Sequence, residues 1–153
     1  LVCWAVEAAL GAGLDGVVVV AGAVELDDLL PPEVRIVTNP RWAEGQGTSL
    51  AAGIAASDDA DAVVVGLGDQ PLIPAEAWRL VASSTVTAIA VATYDGTPRN
   101  PVRFAREVWS LLPTDGDEGA RRLLRGRPDL VTPVACPGKP VDVDTEEDLA
   151  RWS

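Results

Sequence analysis

The sequence predicts an α/β protein built on a mostly parallel sheet with helices on both faces. Three observations carry that expectation. Short valine-rich runs bounded by turn residues recur along the chain, segments with helical apolar spacing separate them, and 153 residues with 48% hydrophobic content suffice for one core. Uninterrupted apolar strands of this kind suit a sheet covered on both sides.

The elements follow in order. Leu1 to Leu10 carries Leu1, Trp4 or Ala5, and Ala8 or Ala9 at helical spacing, and Gly11 and Gly13 close that helix. Gly16 to Ala21 reads as a buried strand, and Val24 to Leu30 as a short helix stopped by Pro31 and Pro32. Val34 to Thr38 is a second strand, followed by a loop at Asn39-Pro40-Arg41-Trp42 and a helix from Thr48 to Ala56. Asp61 to Leu67 is a third strand, and a helix runs from Pro74 to near Ser83. The β-branched run Thr85 to Thr93 and the segment Val102 to Phe104 read as strands. Helices are expected near Arg106 to Leu112 and Gly116 to Arg125, then a strand from Leu130 to Ala135, an extended stretch at Pro140 to Asp144 and a closing helix from Thr145. With no internal repeat or low-complexity linker, residues 1 to 153 read as one domain.

Composition narrows the function. Twelve basic against 23 acidic residues leave a net charge of −11, which opposes binding to nucleic acid or an anionic membrane. The apolar stretch from Gly16 to Val24 is about half of the roughly 18 residues that a membrane span needs. Cys3 and Cys136 read as reduced thiols of a cytoplasmic protein. The chain has no histidine, which removes imidazole catalysis and His-containing metal sites. Carboxylates, arginines, hydroxyls and backbone amides remain, an inventory suited to a hard oxygen-ligated cation and phosphate chemistry. A chain without methionine that opens on a helical pattern is expected to lack its natural N-terminus.

In such sheets ligands sit beyond the carboxyl ends of the strands. Gly11-Ala-Gly13-Leu-Asp-Gly16 matches a dinucleotide fingerprint literally but lies between a helix and a strand, the wrong order for that role. Gly45-Gln-Gly47-Thr-Ser49-Leu50 opens a helix after a strand, where its amides and hydroxyls can receive an anion or a base edge; a helix cap by Thr48 or Ser49 is the plainer account. Gly66-Leu-Gly68-Asp69-Gln70-Pro71 ends the most hydrophobic strand in a carboxylate, with glycines that let a bulky ligand approach the backbone. In Pro140-Val-Asp142-Val-Asp144-Thr145-Glu-Glu-Asp148, an extended backbone puts Asp142 and Asp144 on one face, able to share a cation. Asp144 or Thr145 also fits a helix cap. The arginines concentrate after Arg99, so an anionic substrate is expected to be held from the second half.

Five of these segments, taken in order, carry a resemblance. Asn39-Pro-Arg-Trp-Ala-Glu-Gly45-Gln-Gly-Thr-Ser49-Leu50, Gly68-Asp69-Gln70-Pro71, Arg99-Asn100-Pro101, Gly116-Asp117-Glu-Gly119-Ala-Arg121 and Asp142-Val-Asp144-Thr-Glu-Glu-Asp148-Leu are similar to the successive motifs of the MobA-like nucleotidyltransferases, nearest to the molybdenum cofactor cytidylyltransferases. The resemblance implies a Rossmann-like three-layer α/β/α fold and transfer of a nucleoside monophosphate from an NTP, CTP in this branch, to a phosphorylated acceptor such as molybdopterin, with release of pyrophosphate. It implies that Asp69 holds a catalytic Mg²⁺ with Asp142 or Asp144. Asn39, Gly45, Ser49, Leu50 and Gly68 then fall on the nucleotide side, and Asn100, Pro101, Asp117, Gly119 and Arg121 on the acceptor side. A guanylyltransferase of deazaflavin cofactor synthesis and a non-catalytic nucleotide-binding module are the competing readings.

The chain departs from that pattern in two places. The family opens with a strand and a Gly-rich loop similar to Ala-Gly-Gly-x-Ser-x-Arg-Met-Gly followed by a Lys, which holds the NTP phosphates. None of this is present, so roughly 25 to 30 residues are expected to be missing, leaving a gap between the strands Val17 to Val20 and Val63 to Gly66 and a chain that alone is inactive or nearly so. The other departure is Asn100, where many members carry histidine.

Overall fold

A computed structural model describes residues 2–152 of the chain; the expected helix start at Leu1 lies outside the described residues. The elements are α1 (Val2–Gly11), β1 (Val17–Ala21), β2 (Val34–Thr38), α2 (Gln46–Ala56), β3 (Ala62–Val65), α3 (Ala75–Ala82), β4 (Ile89–Tyr94), β5 (Thr97–Ala105), α4 (Arg121–Gly126), β6 (Val131–Ala135) and α5 (Glu146–Trp152). Short 3₁₀ turns stand at Trp42–Glu44, Arg106–Leu111 and Pro128–Leu130.

Several sequence expectations are corrected. Residues 24–30 form no helix: only one turn, Leu29 N–H to Leu26 O, is closed, and Val24 and Leu29 are exposed, so no apolar face is buried to repay helix nucleation. The expected helix from Gly116 is reduced to α4, because Gly116 and Gly119 have φ of 81° and 56°, outside the right-handed helical region. The helix expected near Arg106 is a 3₁₀ segment. The strand expected at Val102 to Phe104 starts earlier, at Thr97, where Asp95 and Gly96 both take positive φ and turn β4 back into β5 as a two-residue hairpin.

β1 and β2 form a parallel pair with Val17 opposite Val34. A second sheet has the order β3-β5-β4-β6, in which β4 and β6 are parallel and β5 runs antiparallel to both β3 and β4. β3, β4 and β6 thus point one way and β5 alone opposes them. Among the described residues no ladder joins β1 to β3.

Helices cover both faces. α1 packs on α3 through Ala9, Ala12, Ile73, Ala77 and Trp78, and Val17 of β1 and Val64 of β3 rest on that cluster. On the opposite face Leu50 and Ile54 of α2 and Leu123 and Leu124 of α4 join Val63 and Val65 against Ile89, Val91, Val102 and Phe104. The alternation of Val63, Val64 and Val65 between the two layers is the period-two signature of a strand between helices. None of the described helices is long and apolar enough to cross a membrane.

Candidate active site

The residues singled out from the sequence gather in two clusters beyond the carboxyl ends of the strands. The first grows from β3. Its chain passes Gly66 and Gly68 to Asp69 and Gln70, and residues 138–143, returning from β6, lie along it: Lys139 N–H donates to Leu72 O at 3.2 Å and Val143 N–H to Asp69 O at 2.8 Å. Gly138, with φ of 115°, makes this approach possible, since a Cβ there would sit 2.5 Å from Pro74. Val143 is buried while Asp142 and Asp144 on either side of it are exposed, so both carboxylates occupy one face.

The two glycines before Asp69 do not leave room for a ligand. A Cβ on Gly66 would lie 2.4 Å from the Trp78 ring, and one on Gly68 would lie 3.2 Å from Val2, so these spaces are filled by α3 and α1. The helix cap at α5 belongs to Thr145, whose hydroxyl accepts the Asp148 N–H at 3.0 Å, while Asp148 reaches back to the Asp144 N–H at 3.3 Å. The Asp144 carboxylate is therefore not spent on the cap.

Asp69 is the electrostatic centre of this cluster. Its Oδ1 is buried without a hydrogen-bond partner. Burial, and after it the nearby Asp142 and Asp144 carboxylates, push its pKa above the ordinary aspartate value. An orphaned carboxylate oxygen beside two further carboxylates is an arrangement that a hard divalent cation relieves. Among the described residues no three acidic or thiol side chains are placed to hold a metal ion by themselves. Magnesium commonly takes one or two protein carboxylates and completes its shell with water and substrate phosphate, so this donor set fits it.

Gln70 is a residue that the sequence reading did not single out as a site residue. It is buried, its Nε2 donates to Asp142 Oδ1 at 2.9 Å, and its Oε1 lies 3.5 Å from Asn100 Nδ2. A polar side chain directly after the strand-end aspartate was the available signal. Asn100 itself is held from β4, where the Tyr94 hydroxyl donates to its carbonyl at 2.7 Å; the Asn100–Pro101 peptide is cis and Pro101 is buried.

The second cluster joins the loops after β2 and before α4. Asn39 is buried and both ends of its amide are engaged: Nδ2 donates to Thr48 Oγ1 and Ser49 Oγ at 2.9 and 3.0 Å, and Oδ1 accepts the Arg41 N–H at 2.9 Å. Asn39 thus shapes the loop. Gly45, not Thr48 or Ser49, stands at the start of α2, and its φ of 117° requires glycine. Gly45 and Gly47 lie against the 115–117 backbone so closely that a Cβ would come within 2.4 and 2.2 Å of it. The Gly47 N–H donates to Gly116 O at 2.8 Å, which removes one amide from the expected anion cradle. Gly119 packs on Gln46, Asp117 is exposed, and the Leu50 side chain packs toward the core. Arg122 and Arg125 pair with Glu118, whereas Arg121 is exposed and, among the described residues, forms no ion pair.

Each cluster joins residues from both sides of the division drawn from the resemblance, which sets the two expected subsites next to each other. Asn100, assigned to the acceptor, meets Gln70, the neighbour of Asp69, and Gly45, assigned to the nucleotide, lies against Gly116 and Asp117.

Residues 1–132 match the MobA-like NTP transferase domain. The chain is 34% identical to the nicotine blue oxidoreductase of Paenarthrobacter nicotinovorans, over 96% of this chain and 79% of that protein. Its fold superposes on Rv0371C of Mycobacterium tuberculosis H37Rv, solved as a complex with manganese, with a TM-score of 0.72 and 26% identity over 97% of this chain and 83% of that one. A nucleotidyl transferase from Methanothermobacter thermautotroptrophicus shares the fold with a TM-score of 0.79 at 22% identity, over 97% of this chain and 76% of that one.

Proposed function

The chain belongs to the MobA-like NTP transferase family, and from that premise we propose that it takes part in transferring a nucleoside monophosphate from an NTP, CTP foremost, to a small phosphorylated acceptor such as molybdopterin. The observation that supports this most is the buried, unpartnered Asp69 oxygen beside Asp142 and Asp144 at the end of β3. In this reading Asp69, with Asp142 or Asp144, holds Mg²⁺. The ion, when bound, neutralises phosphate charge.

The chemistry needs little else from the protein than placement. An acceptor phosphate oxygen attacks the α-phosphorus in line, the bond from that phosphorus to the bridging oxygen breaks, and pyrophosphate departs with the electron pair. No proton need move and no protein nucleophile forms, which suits a chain without histidine. Ser49 and the loop at Gly45 would receive the nucleotide, and Asn100, Asp117 and the unpaired Arg121 the acceptor. We further propose that residues 1 to 153 form one domain, and that the seam between β1 and β3 is where the strand and phosphate-holding loop implied by the family resemblance, as an added segment, would lodge. Two free cysteines, Cys3 and Cys136, agree with a cytoplasmic setting.

The test is pyrophosphate release by the protein carrying that segment, with Mg²⁺, each NTP in turn and molybdopterin. Turnover with CTP that is lost in Asp69→Asn supports the proposal; turnover with GTP alone moves it to a guanylyltransferase; NTP binding without turnover moves it to a binding module. A redox reading has one observation in its favour: the 34% identical relative is named an oxidoreductase. Oxidation of NADH or NADPH by this protein, with no pyrophosphate release under any condition, would replace the transfer reading.

A further inference from the structure

The geometry points to Gln70 as a positioning residue that orients the Asp142 carboxylate for the divalent cation and ties that carboxylate to Asn100, an inference that rests on the metal-site reading above. Gln70 is 5% exposed and held at the tip of the β3 loop, where its N–H closes a turn to Leu67 O at 3.3 Å. Its side-chain amide has one chemically sensible orientation. On one side lie Asp142 Oδ1 at 2.9 Å and Pro140 O at 3.5 Å, both of which only accept, so the NH₂ must face them. The carbonyl then faces Asn100 Nδ2, 3.5 Å away.

The hydrogen-bond direction therefore runs from Asn100 to Gln70 to Asp142, across 30 and 72 positions of sequence. Asp142 is exposed, and an exposed aspartate turns freely about two side-chain torsions. A buried amide donating to one of its oxygens removes that freedom and leaves the other oxygen for a cation. Groups that orient a ligand in this way commonly change metal affinity about 10- to 100-fold when removed. The same relay fixes the Asn100 side-chain amide with its NH₂ inward, which turns Oδ1 outward, where it can accept a hydrogen bond from an N–H or O–H of the acceptor.

Titration with Mn²⁺, followed by loss of the free-ion paramagnetic resonance signal, tests the inference on wild type, Gln70→Met, Asp142→Asn and the double variant. Gln70→Met should weaken binding about tenfold and add less than about twofold in the Asp142→Asn background, because the side chain acts through Asp142. Gln70→Asn keeps the amide one methylene too short, should lose an intermediate amount, and carries the test if the Met variant does not fold. Binding within about twofold of wild type in a folded Gln70 variant, or equal losses with and without Asp142, overturns the positioning role. Failure of the underlying metal reading looks different: Mn²⁺ binding is then absent in wild type or unchanged in Asp69→Asn, and the Gln70 inference falls with it.

Discussion

β4 and the pair β1 and β3 are built from the same kind of residue, yet they end up differently. All six residues of β4 are buried, flanked by β5 on one edge and β6 on the other. The four valines of β1 and all four residues of β3 are only half-buried, although α1, α2 and α3 cover their faces. The difference is at the edges. Among the described residues β1 pairs with β2 alone and β3 with β5 alone, so a seam without a ladder runs between Val17–Val20 and Val63–Val65, with helices on both faces. An apolar run thus reports what a strand is suited to pack against, and the number of neighbours decides how much of it is removed from water.

The largest effect that would sharpen this comparison comes from closing the seam. Extending the chain at its N-terminus by the strand and Gly-rich loop that the family resemblance implies should raise pyrophosphate release on the order of 1,000-fold over residues 1–153 alone, the scale of losing preorganised donors at a phosphate. Equal rates would sink the proposed segment. Next, truncation on the two sides of the molecule should differ in urea unfolding. Phe104→Ala, in the closed half and 1% exposed, should cost about 3 to 5 kcal/mol, and Val19→Ala at the seam about 1 kcal/mol. Similar costs would erase the distinction.

A smaller effect is expected at Gly66, where β3 meets Trp78. Gly66→Ala forces a Cβ into the indole ring and should lower stability by about 1 to 3 kcal/mol, read from the denaturation midpoint. No loss would mean that the seam side repacks freely.

The smallest concerns Asp69. Its raised pKa means that the folded state holds the proton more tightly than the unfolded chain, so folding is favoured below the ordinary aspartate value and this contribution is lost as pH rises toward the raised one. Asp69→Asn should therefore raise the metal-free thermal midpoint by a few degrees at most at pH 7 and leave it unchanged near pH 3. A midpoint lower than wild type at pH 7, without metal, would contradict the charge account.

Much of the site was legible because it is local. The cap at Thr145, the shared face of Asp142 and Asp144, and the glycine-led entry to α2 each depend on spacings of a few residues, which periodicity and capping chemistry report directly. What failed was also instructive. Val24 to Leu30 has apolar residues at plausible spacing but nothing to bury them, and Pro98 and Pro101 hide the first half of β5 from a strand pattern. Gly66 and Gly68 signal close approach correctly, but the approaching groups are Trp78 and Val2 rather than a ligand.

By itself the sequence determined where most strands and several helices lie, that Asp142 and Asp144 share one face, and the order of motifs that places the chain in its family. These are properties of neighbours in the chain, fixed by backbone sterics, side-chain period and turn chemistry. Only the tertiary structure decided that β5 enters antiparallel between β3 and β4, that the 45–47 and 115–117 loops dock, and that Gln70 joins Asp142 to Asn100. Those contacts link residues tens of positions apart. They depend on sheet order and register, which are settled by packing the whole core and leave no mark in any local pattern.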